Sequence, residues 1–296
     1  MAIRVTQSML NNNMMRNLNN SIGKMDKLQE QLSSGMKISR PSDDPVIASR
    51  AMLYRSSLIE NEQFQRNVAE AQSWMELSDK SLDEAGNILK RVQELVINSG
   101  DGTLEKDSLQ AIAKEVEQLK QHLGNVANQT VAGRYIFAGT DTKTAPFDYE
   151  TGDFTNKNGT RIELELNERI FVPINVNGQQ IFNYPENGKN IFKVLDNIIG
   201  DLNAGNSAKD RIADLDAQVD NILAERASLG ARMNRLELIS ERLGNENLNV
   251  QTLMAENEDA DVAEVITNLK TQENVHRAAL GAGARIIQPS LLDFLR

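Results

Sequence analysis

The chain has 296 residues, a formal net charge of −10 and a sequence pI of about 4.9. This length allows one or two domains with their own cores, and the acidic balance argues against nucleic acid as a partner. The lack of cysteine excludes disulfides and thiolate metal sites. No apolar run is long enough for a membrane-spanning helix, and the N-terminal residues do not form a cleavable signal peptide.

The first predicted element is a narrow amphipathic helix. Between residues 14 and 32, apolar side chains recur at alternating spacings of four and three, interrupted only by Ser21. These positions are Met14, Leu18, Met25, Leu28 and Leu32. Two apolar positions per heptad are typical of a coiled coil. Six asparagines lie between residues 11 and 20, and asparagine is a poor helix former, so we expect this helix to need a partner.

The stretch 32–45 predicts a hinge between two helices. Gly35 accepts backbone conformations that other residues avoid, and two prolines interrupt any continuous helix. Asp44 followed by Pro45 is typical of a helix start, with a carboxylate at the N-cap and proline in the first turn. Asp43 and Asp44 could instead form a metal or acid–base pair, but adjacent side chains point apart and no third ligand is spaced nearby. We therefore favour helix capping and hydrogen bonding within the hinge.

Two further helices follow. Residues 46–98 contain no proline and carry a long apolar repeat, which predicts a helix of roughly 80 Å. Trp74 lies next to Met75, a member of this repeat, and is expected in the core or on the apolar face of the helix, with no cofactor implied. A glycine-rich turn ends the helix, and the short connection predicts that the helix over 109–126 runs antiparallel to it.

The composition changes near Tyr135. Eight of the thirteen aromatic residues lie between Tyr135 and Tyr184. The segments 161–166, 170–176 and 180–182 are strand candidates, and Asn177-Gly178 is a hairpin signal. We expect residues 136–186 to form a small β domain inserted between helices.

Helical patterns return at 191–202 and, after a break at Ala204-Gly205-Asn206, over a long segment from Ile212 to Leu243. The acidic run 256–261 precedes the last helix and suits a helix N-terminus better than a calcium loop. One face of that last helix carries Val262, Ile266, Leu269, Leu280 and Ile287, together with Glu273, His276 and Gly283. After it come Gln288 and Pro289 and an apolar tail that contains Leu291, Leu292, Phe294 and Leu295.

Few residues suggest chemistry. With only two histidines, a histidine-based metal site is not expected, and His276 suits a polar contact at a subunit boundary or a tube lumen. Gly281-Ala-Gly283 follows no strand and lacks the lysine of a phosphate loop, so we expect these small residues to allow close helix packing. We expect no enzyme activity, cofactor, metal or small-molecule substrate.

The fold class is therefore mainly α: a long antiparallel helical rod or coiled-coil bundle, built from both ends of the chain, with a small central β domain. We expect three domains: terminal helices over 1–40 and 256–296, a helical rod over 41–135 and 187–255, and the insertion over 136–186. Pairing the two ends with each other and with neighbouring subunits is the simplest way to bury both apolar faces. This argues for a polymer-forming rod.

Three separated motifs resemble the bacterial flagellin family. Leu32-Ser-Ser-Gly35, with Ile38 and Asp43-Asp44-Pro45 after it, is similar to the family's N-terminal signature. Ser228 to Glu237 resembles its returning core helix through Gly230, Arg232, Asn234 and Leu236. Ala279 to Leu295 resembles its C-terminal end. Two features point away from filament flagellins: Pro45 lies where they usually have a small residue, and the stretch from Gly133 to Phe147 resembles the junction proteins between hook and filament.

The resemblance implies a structural role at the hook–filament junction. A ring of copies would sit on hook-associated protein 1 and template growth of the flagellin filament, with the terminal helices in contact with adjacent subunits. It also implies extracellular localisation, unfolded export through the flagellar type III apparatus without a cleaved peptide, and an export chaperone. Flagellin itself and an unrelated cytoplasmic coiled-coil scaffold are the alternatives.

Overall fold

The computed structural model describes residues 7–100, 105–185 and 189–287. The chain divides into two compact units, unit 1 with residues 1–60 and 246–296, and unit 2 with residues 61–245. The helices are α1 (Gln7–Ser34), α2 (Pro45–Ser99), α3 (Lys106–Ala127), α4 (Gly178–Phe182), α5 (Ile191–Ala204), α6 (Ile212–Glu258) and α7 (Val262–Ile287). In the described part of the chain, none of them is long and apolar enough to cross a membrane.

Unit 1 is built on α1 and α7, which pack along each other in opposite directions. The beginning of α2 and the end of α6 complete it. Among its described residues, the buried apolar side chains are Leu18, Ala48, Ala51 and Val265. Because so few apolar side chains are buried, the hydrophobic contribution to the stability of this unit is small.

The hinge after α1 pairs with the break between α6 and α7. Gly35 ends α1 with a φ of 72°, a conformation that favours glycine. Its carbonyl accepts a hydrogen bond from the Ala260 amide at 2.8 Å, and the Lys37 amide donates to the Glu258 carbonyl at 2.6 Å. Met36 and Asp259 form an antiparallel β-bridge. Backbone hydrogen bonds thus hold the α1–α2 hinge and the α6–α7 connection side by side.

Unit 2 contains most of the helical rod and the whole central segment. Its continuous core draws on α2, α3, α5 and α6, and on the strands and loops between α3 and α5. Trp74, Met75, Leu89, Leu123 and Leu229 are among its fully buried members. Every residue of this core lies between positions 61 and 245.

The described strands form three separate antiparallel pairs. They are β1 (Thr130–Val131) with β2 (Arg134–Tyr135), β3 (Phe147–Asp148) with β4 (Asp153–Phe154), and β5 (Glu163–Asn167) with β6 (Ile170–Pro173). The last pair opposes Leu164 to Val172 and shifts register between Glu165 and Asn167. The strands predicted over 161–166 and 170–176 are therefore confirmed in shortened form.

The strand predicted at 180–182 is wrong, and so is the hairpin predicted at Asn177-Gly178. Residues 178–182 form the short helix α4. Asn177 precedes it, and its side-chain oxygen accepts a hydrogen bond from the Gln179 amide at 3.0 Å. Asparagine is a strong N-cap residue as well as a turn residue, so the same dipeptide signals both structures.

An aromatic cluster joins the central segment to the helices of unit 2. The rings of Phe147 and Phe192 are 4.6 Å apart between centroids, and those of Phe137 and Phe182 are 5.2 Å apart. Phe192 belongs to α5, whereas the other three precede it in the central segment. The segment therefore shares its hydrophobic core with the rod instead of enclosing a separate one.

Candidate assembly surface

The contact between α1 and α7 uses the predicted apolar face of α1. Leu18 is buried, and Met14, Met25 and Leu28 are half-buried. Leu32 lies at the edge of the same face and is exposed. All four predicted interaction residues of α1 thus lose part or most of their surface within unit 1, and Leu32 was predicted as a hinge residue.

A polar pair, Ser21 and Gln272, lies within this contact. Ser21 is only 6 % exposed, and its hydroxyl accepts a hydrogen bond from Nε2 of Gln272 at 2.9 Å. A buried hydroxyl without a partner costs free energy, so this bond favours one alignment of the two helices. The sequence marked Ser21 as an interruption but gave no signal that Gln272 would be its partner.

Gly283 allows α7 to approach α1 closely. A Cβ at this position would lie 2.7 Å from Cε of Met14, closer than van der Waals contact allows. At Gly281, two residues earlier, a Cβ would meet nothing within 4 Å. The expectation of small residues at a close helix contact is therefore confirmed for Gly283, whereas Gly281 has no such role within the chain.

Part of the predicted face of α7 packs on α1, and part of it stays exposed. Val265 is buried and Leu269 is half-buried, but Val262, Ile266 and Leu280 remain 49 %, 44 % and 50 % exposed. Of the residues predicted to share one face of this helix, Leu269, Glu273 and His276 are half-buried and Gly283 is buried. Gln272 also faces α1, through its hydrogen bond to Ser21, and a search for apolar repeats passes over this polar residue.

The remaining predicted interaction residues, at the end of the chain, lie outside the residues that the structure describes. The side chain of Ile287 lies outside the described residues, as do Gln288, Pro289, Leu291 and Leu292. Their part in subunit contacts stays a prediction.

The helix pair exposes large apolar side chains on both helices. Besides Leu32, they are Met9, Leu10, Met15 and Ile22 on α1, and Val262, Ile266, Val275 and Leu280 on α7. Exposed apolar side chains in such number on two neighbouring helices mark an interaction surface. We call these eight residues the terminal surface.

The hinge carries the predicted helix cap. Oδ1 of Asp44 accepts hydrogen bonds from the amides of Val46 and Ile47 at 2.9 and 3.1 Å, which confirms Asp44 as the N-cap of α2. Pro45 is the first residue of the helix, as predicted. Asp44 thus serves the helix, and in the described part of the chain no group of three or more potential ligands could hold a metal.

Asp43 ties the hinge to α1. Its carboxylate accepts a hydrogen bond from Nζ of Lys27 at 3.1 Å and one from the Arg40 amide at 3.1 Å. These hydrogen bonds lower the pKa of the Asp43 carboxyl below its ordinary value, and the bond from Lys27 has the largest effect. The predicted hydrogen bonding within the hinge is therefore confirmed.

The acidic run 256–261 serves two elements. Residues 256–258 form the last turn of α6. Asp261 caps α7 by accepting from the amides of Ala263 and Glu264 at 2.9 and 3.2 Å. Favourable contact with a helix N-terminus is thus confirmed for Asp261 alone.

The motif on α6 anchors the central segment in unit 2. Leu236 is buried, Gly230 and Arg232 are half-buried, and Asn234 is exposed. Nη1 of Arg232 donates to the Asn175 carbonyl at 3.0 Å, and burial lowers the pKa of this guanidinium. The motif therefore has a structural role that its sequence did not reveal.

Two polar groups near the hinge and the helix pair have a buried atom without a hydrogen-bond partner among the described residues. Nδ1 of the half-buried His276 has no hydrogen-bond partner among the described residues. Glu258 is 4 % exposed and pairs with Arg55, at 2.7 Å between Oε2 and Nη2. Glu258 lies in an acidic run whose other members are exposed or half-buried, and composition alone cannot single it out.

Comparison with known protein families identifies the class of this protein. The model of the bacterial flagellin N-terminal helical region matches residues 5–142, and that of the C-terminal helical region matches residues 212–295. The chain belongs to the bacterial flagellin family.

Individual relatives narrow the comparison. The chain is 30 % identical to flagellar hook-associated protein 3 of Salmonella typhimurium, over 94 % of this chain and 95 % of that protein. It is 24 % identical to flagellin of Bacillus subtilis, over 92 % of both chains. A solved structure of a hook-associated protein from Vibrio parahaemolyticus superposes with a TM-score of 0.67 at 20 % identity, covering 73 % of this chain and all of that one. The predicted resemblance and the mainly α fold with a small β segment are confirmed.

Proposed function

We propose that this chain is the structural subunit that joins the flagellar hook to the filament. The identity of 30 % to a hook-associated protein 3, over nearly the full length of both proteins, carries this proposal. A flagellar component of this kind connects other proteins and transforms no substrate. The stretch from Gly133 to Phe147, which resembles junction proteins, supports the same function.

The terminal surface supplies the chemistry for assembly. Its exposed apolar side chains on α1 and α7 lose contact with water when copies pack side by side, which favours association. We propose that copies form a ring on hook-associated protein 1, with the terminal helices toward the inside of the tube and residues 136–186 facing outward. The ring then presents a surface on which flagellin begins the filament.

The small buried core of unit 1 fits export through the flagellar type III apparatus. A chain must be unfolded to pass such a channel, and a unit that buries few apolar side chains costs little to keep unfolded. We propose that an export chaperone binds the C-terminal region before export, and that no signal peptide is removed. The assembled protein lies outside the cell, at the junction.

Flagellin itself is the second candidate, since a filament subunit would carry the same terminal helices. Immunogold electron microscopy on intact flagella, with antibody to residues 140–186, separates the two. The junction proposal expects gold confined to one short band where hook meets filament. Gold along the whole filament would make the chain a flagellin, and flagella without gold would return it to the scaffold class.

A further inference from the structure

A groove of about 550 Å³ lies within unit 1, beside the hinge. Six of the residues that line it supply an apolar wall: Met36, Ile38, Pro41, Ala48, Ala51 and Met52. The side chains of Met36 and Met52 are exposed. Methionine side chains adapt to irregular apolar partners, so this wall suits a bound segment with large aliphatic or aromatic side chains.

The floor of the groove contains an incompletely bonded carboxylate. Glu258 is 4 % exposed, and its Oε2 is paired with Arg55. Its Oε1 is buried and accepts no hydrogen bond from any described residue. A buried carboxylate oxygen without a donor is destabilising, so a donor arriving in the groove would be bound favourably.

The groove also offers positive charge. Arg40 and Arg55 both line it, and both are exposed. Arg40 forms no ion pair with any described residue. Arg55 donates a hydrogen bond from Nη2 to Glu258. A segment that fits this groove therefore carries large apolar side chains, one base for Glu258 and one acid for the two arginines.

We propose that the groove binds residues 288–296 of a second copy of this chain. That segment, Gln-Pro-Ser-Leu-Leu-Asp-Phe-Leu-Arg, contains four large apolar residues, one acid and one base. Arg296 donates to Oε1 of Glu258, and Asp293 pairs with Arg40 or Arg55. The N-terminal segment 1–6, Met-Ala-Ile-Arg-Val-Thr, has a base but no acid and matches the groove less well.

The occupant comes from another copy because its own segment would come near the groove only when fully extended, which leaves no slack for making these contacts. Helix α7 begins beside the hinge and runs for 26 residues, which carries its end roughly 39 Å away. Nine residues span at most roughly 32 Å when fully extended. A contact between the end of one copy and the hinge of the next is heterologous, and such contacts generate rings or helical polymers. The inference rests on the proposed function in requiring neighbouring copies.

The test is binding of a fluorescein-labelled peptide of residues 288–296 to the full chain, followed by fluorescence anisotropy. Sedimentation velocity first defines a protein concentration at which the chain is monomeric, so that its grooves are open. We expect saturable binding that weakens at least tenfold with Glu258→Gln, and at least tenfold with a peptide carrying Arg296→Gln. Combining both changes should weaken binding no further than either alone, because the two groups act as one pair.

Two variants guard against a trivial loss of fold. Glu256→Gln removes a charge from the same helical turn, where Glu256 is exposed and does not line the groove, and we expect unchanged binding. Met52→Glu places a charge on the exposed apolar wall and should abolish binding. Circular dichroism should give both variants and Glu258→Gln the spectrum of the unchanged chain.

Absence of saturable binding would overturn the inference, and so would equal effects of Glu256→Gln and Glu258→Gln. Tighter binding of a peptide of residues 1–6 would assign the groove to the other end of the chain. None of these results bears on the position of the protein in the flagellum, which the immunogold experiment tests separately.

Discussion

At the scale of single residues, Ser21 and Gly283 govern how α1 and α7 fit together. Ser21 requires a hydrogen-bond partner at one height of the contact and finds it in Gln272. Gly283 provides the space that the side chain of Met14 occupies. Ser21 favours the alignment through a hydrogen bond, and Gly283 favours it through the space that it leaves. The same alignment of α1 and α7 satisfies both.

We expect Gly283→Leu to loosen the helix pair, while Gly281→Leu leaves it intact. A leucine at position 283 must displace Met14 or move α7, and overpacking of this kind costs about 1–3 kcal/mol. Both changes replace glycine by a strong helix former at neighbouring positions of one helix, so the propensity gain is matched. Hydrogen exchange of the amides in residues 7–34 should be faster in Gly283→Leu alone.

A result in which both variants exchange equally would mean that Met14 accommodates the new side chain without cost. The close approach of α7 to α1 would then not depend on glycine.

At the scale of elements, α7 has two sets of apolar side chains, one buried within the chain and one exposed on the terminal surface. Val265 is buried and Leu269 is half-buried within the chain, whereas Val262, Ile266 and Leu280 keep about half of their surface exposed. A charge on the exposed side therefore tests association without disturbing the fold of the single chain.

We expect Leu280→Asp to block incorporation into flagella and to leave the free subunit folded. Leu280 is 50 % exposed in the single chain, but a carboxylate buried without a partner at a subunit contact costs several kcal/mol. Asn274→Asp is the matched control, because Asn274 is exposed and is not three or four residues from any member of the terminal surface. The measurement is the amount of each variant in purified flagella, divided by the amount exported to the medium.

If Leu280→Asp is incorporated as well as the unchanged protein, this side of α7 makes no subunit contact. Loss of both variants would indicate that any added charge on α7 is rejected.

The elements also show where sequence reasoning succeeds. Long helices were predicted well, because apolar repeats over many turns and prolines or glycines at their ends are strong local signals. The bounds of α2 and α5 agree with the prediction within two residues. Short elements were harder: Asn177 begins the helix α4 instead of a hairpin, since its capping bond competes with turn formation.

The site could be predicted only in part. The capping role of Asp44 follows from two adjacent residues, so the sequence contains all of its information. The pairing of Gly35 with Ala260, and of Ser21 with Gln272, joins positions more than 200 residues apart. Such contacts depend on the tertiary arrangement, and one sequence offers no local pattern for them.

At the scale of the whole molecule, the two units differ in how much they bury. The core of unit 2 is continuous and lies entirely within residues 61–245, whereas the described part of unit 1 buries four apolar side chains. Burial of apolar surface is the main source of folding free energy, so we expect unit 2 to fold without unit 1.

We expect a fragment of residues 61–245 to unfold cooperatively at a denaturant midpoint close to that of the full chain. Trp74 is the one tryptophan of the sequence and is 1 % exposed, so its emission reports this unit alone. Urea titrations followed by tryptophan fluorescence and by far-ultraviolet circular dichroism make the comparison. Red-shifted emission of the fragment before urea is added would show that unit 2 needs the rest of the chain.

The fixed alignment of α1 and α7 also determines where the exposed residues of the helix pair lie along its length. Two long helices with regular apolar repeats can slide by a heptad and still make contact, and every such error would displace the outward residues by roughly 10 Å. A slipped pair would leave Ser21 without Gln272 and would move Gly283 away from Met14. In the proposed ring, each copy therefore presents the same exposed side chains at the same height to its neighbours, and errors in alignment do not accumulate from one copy to the next.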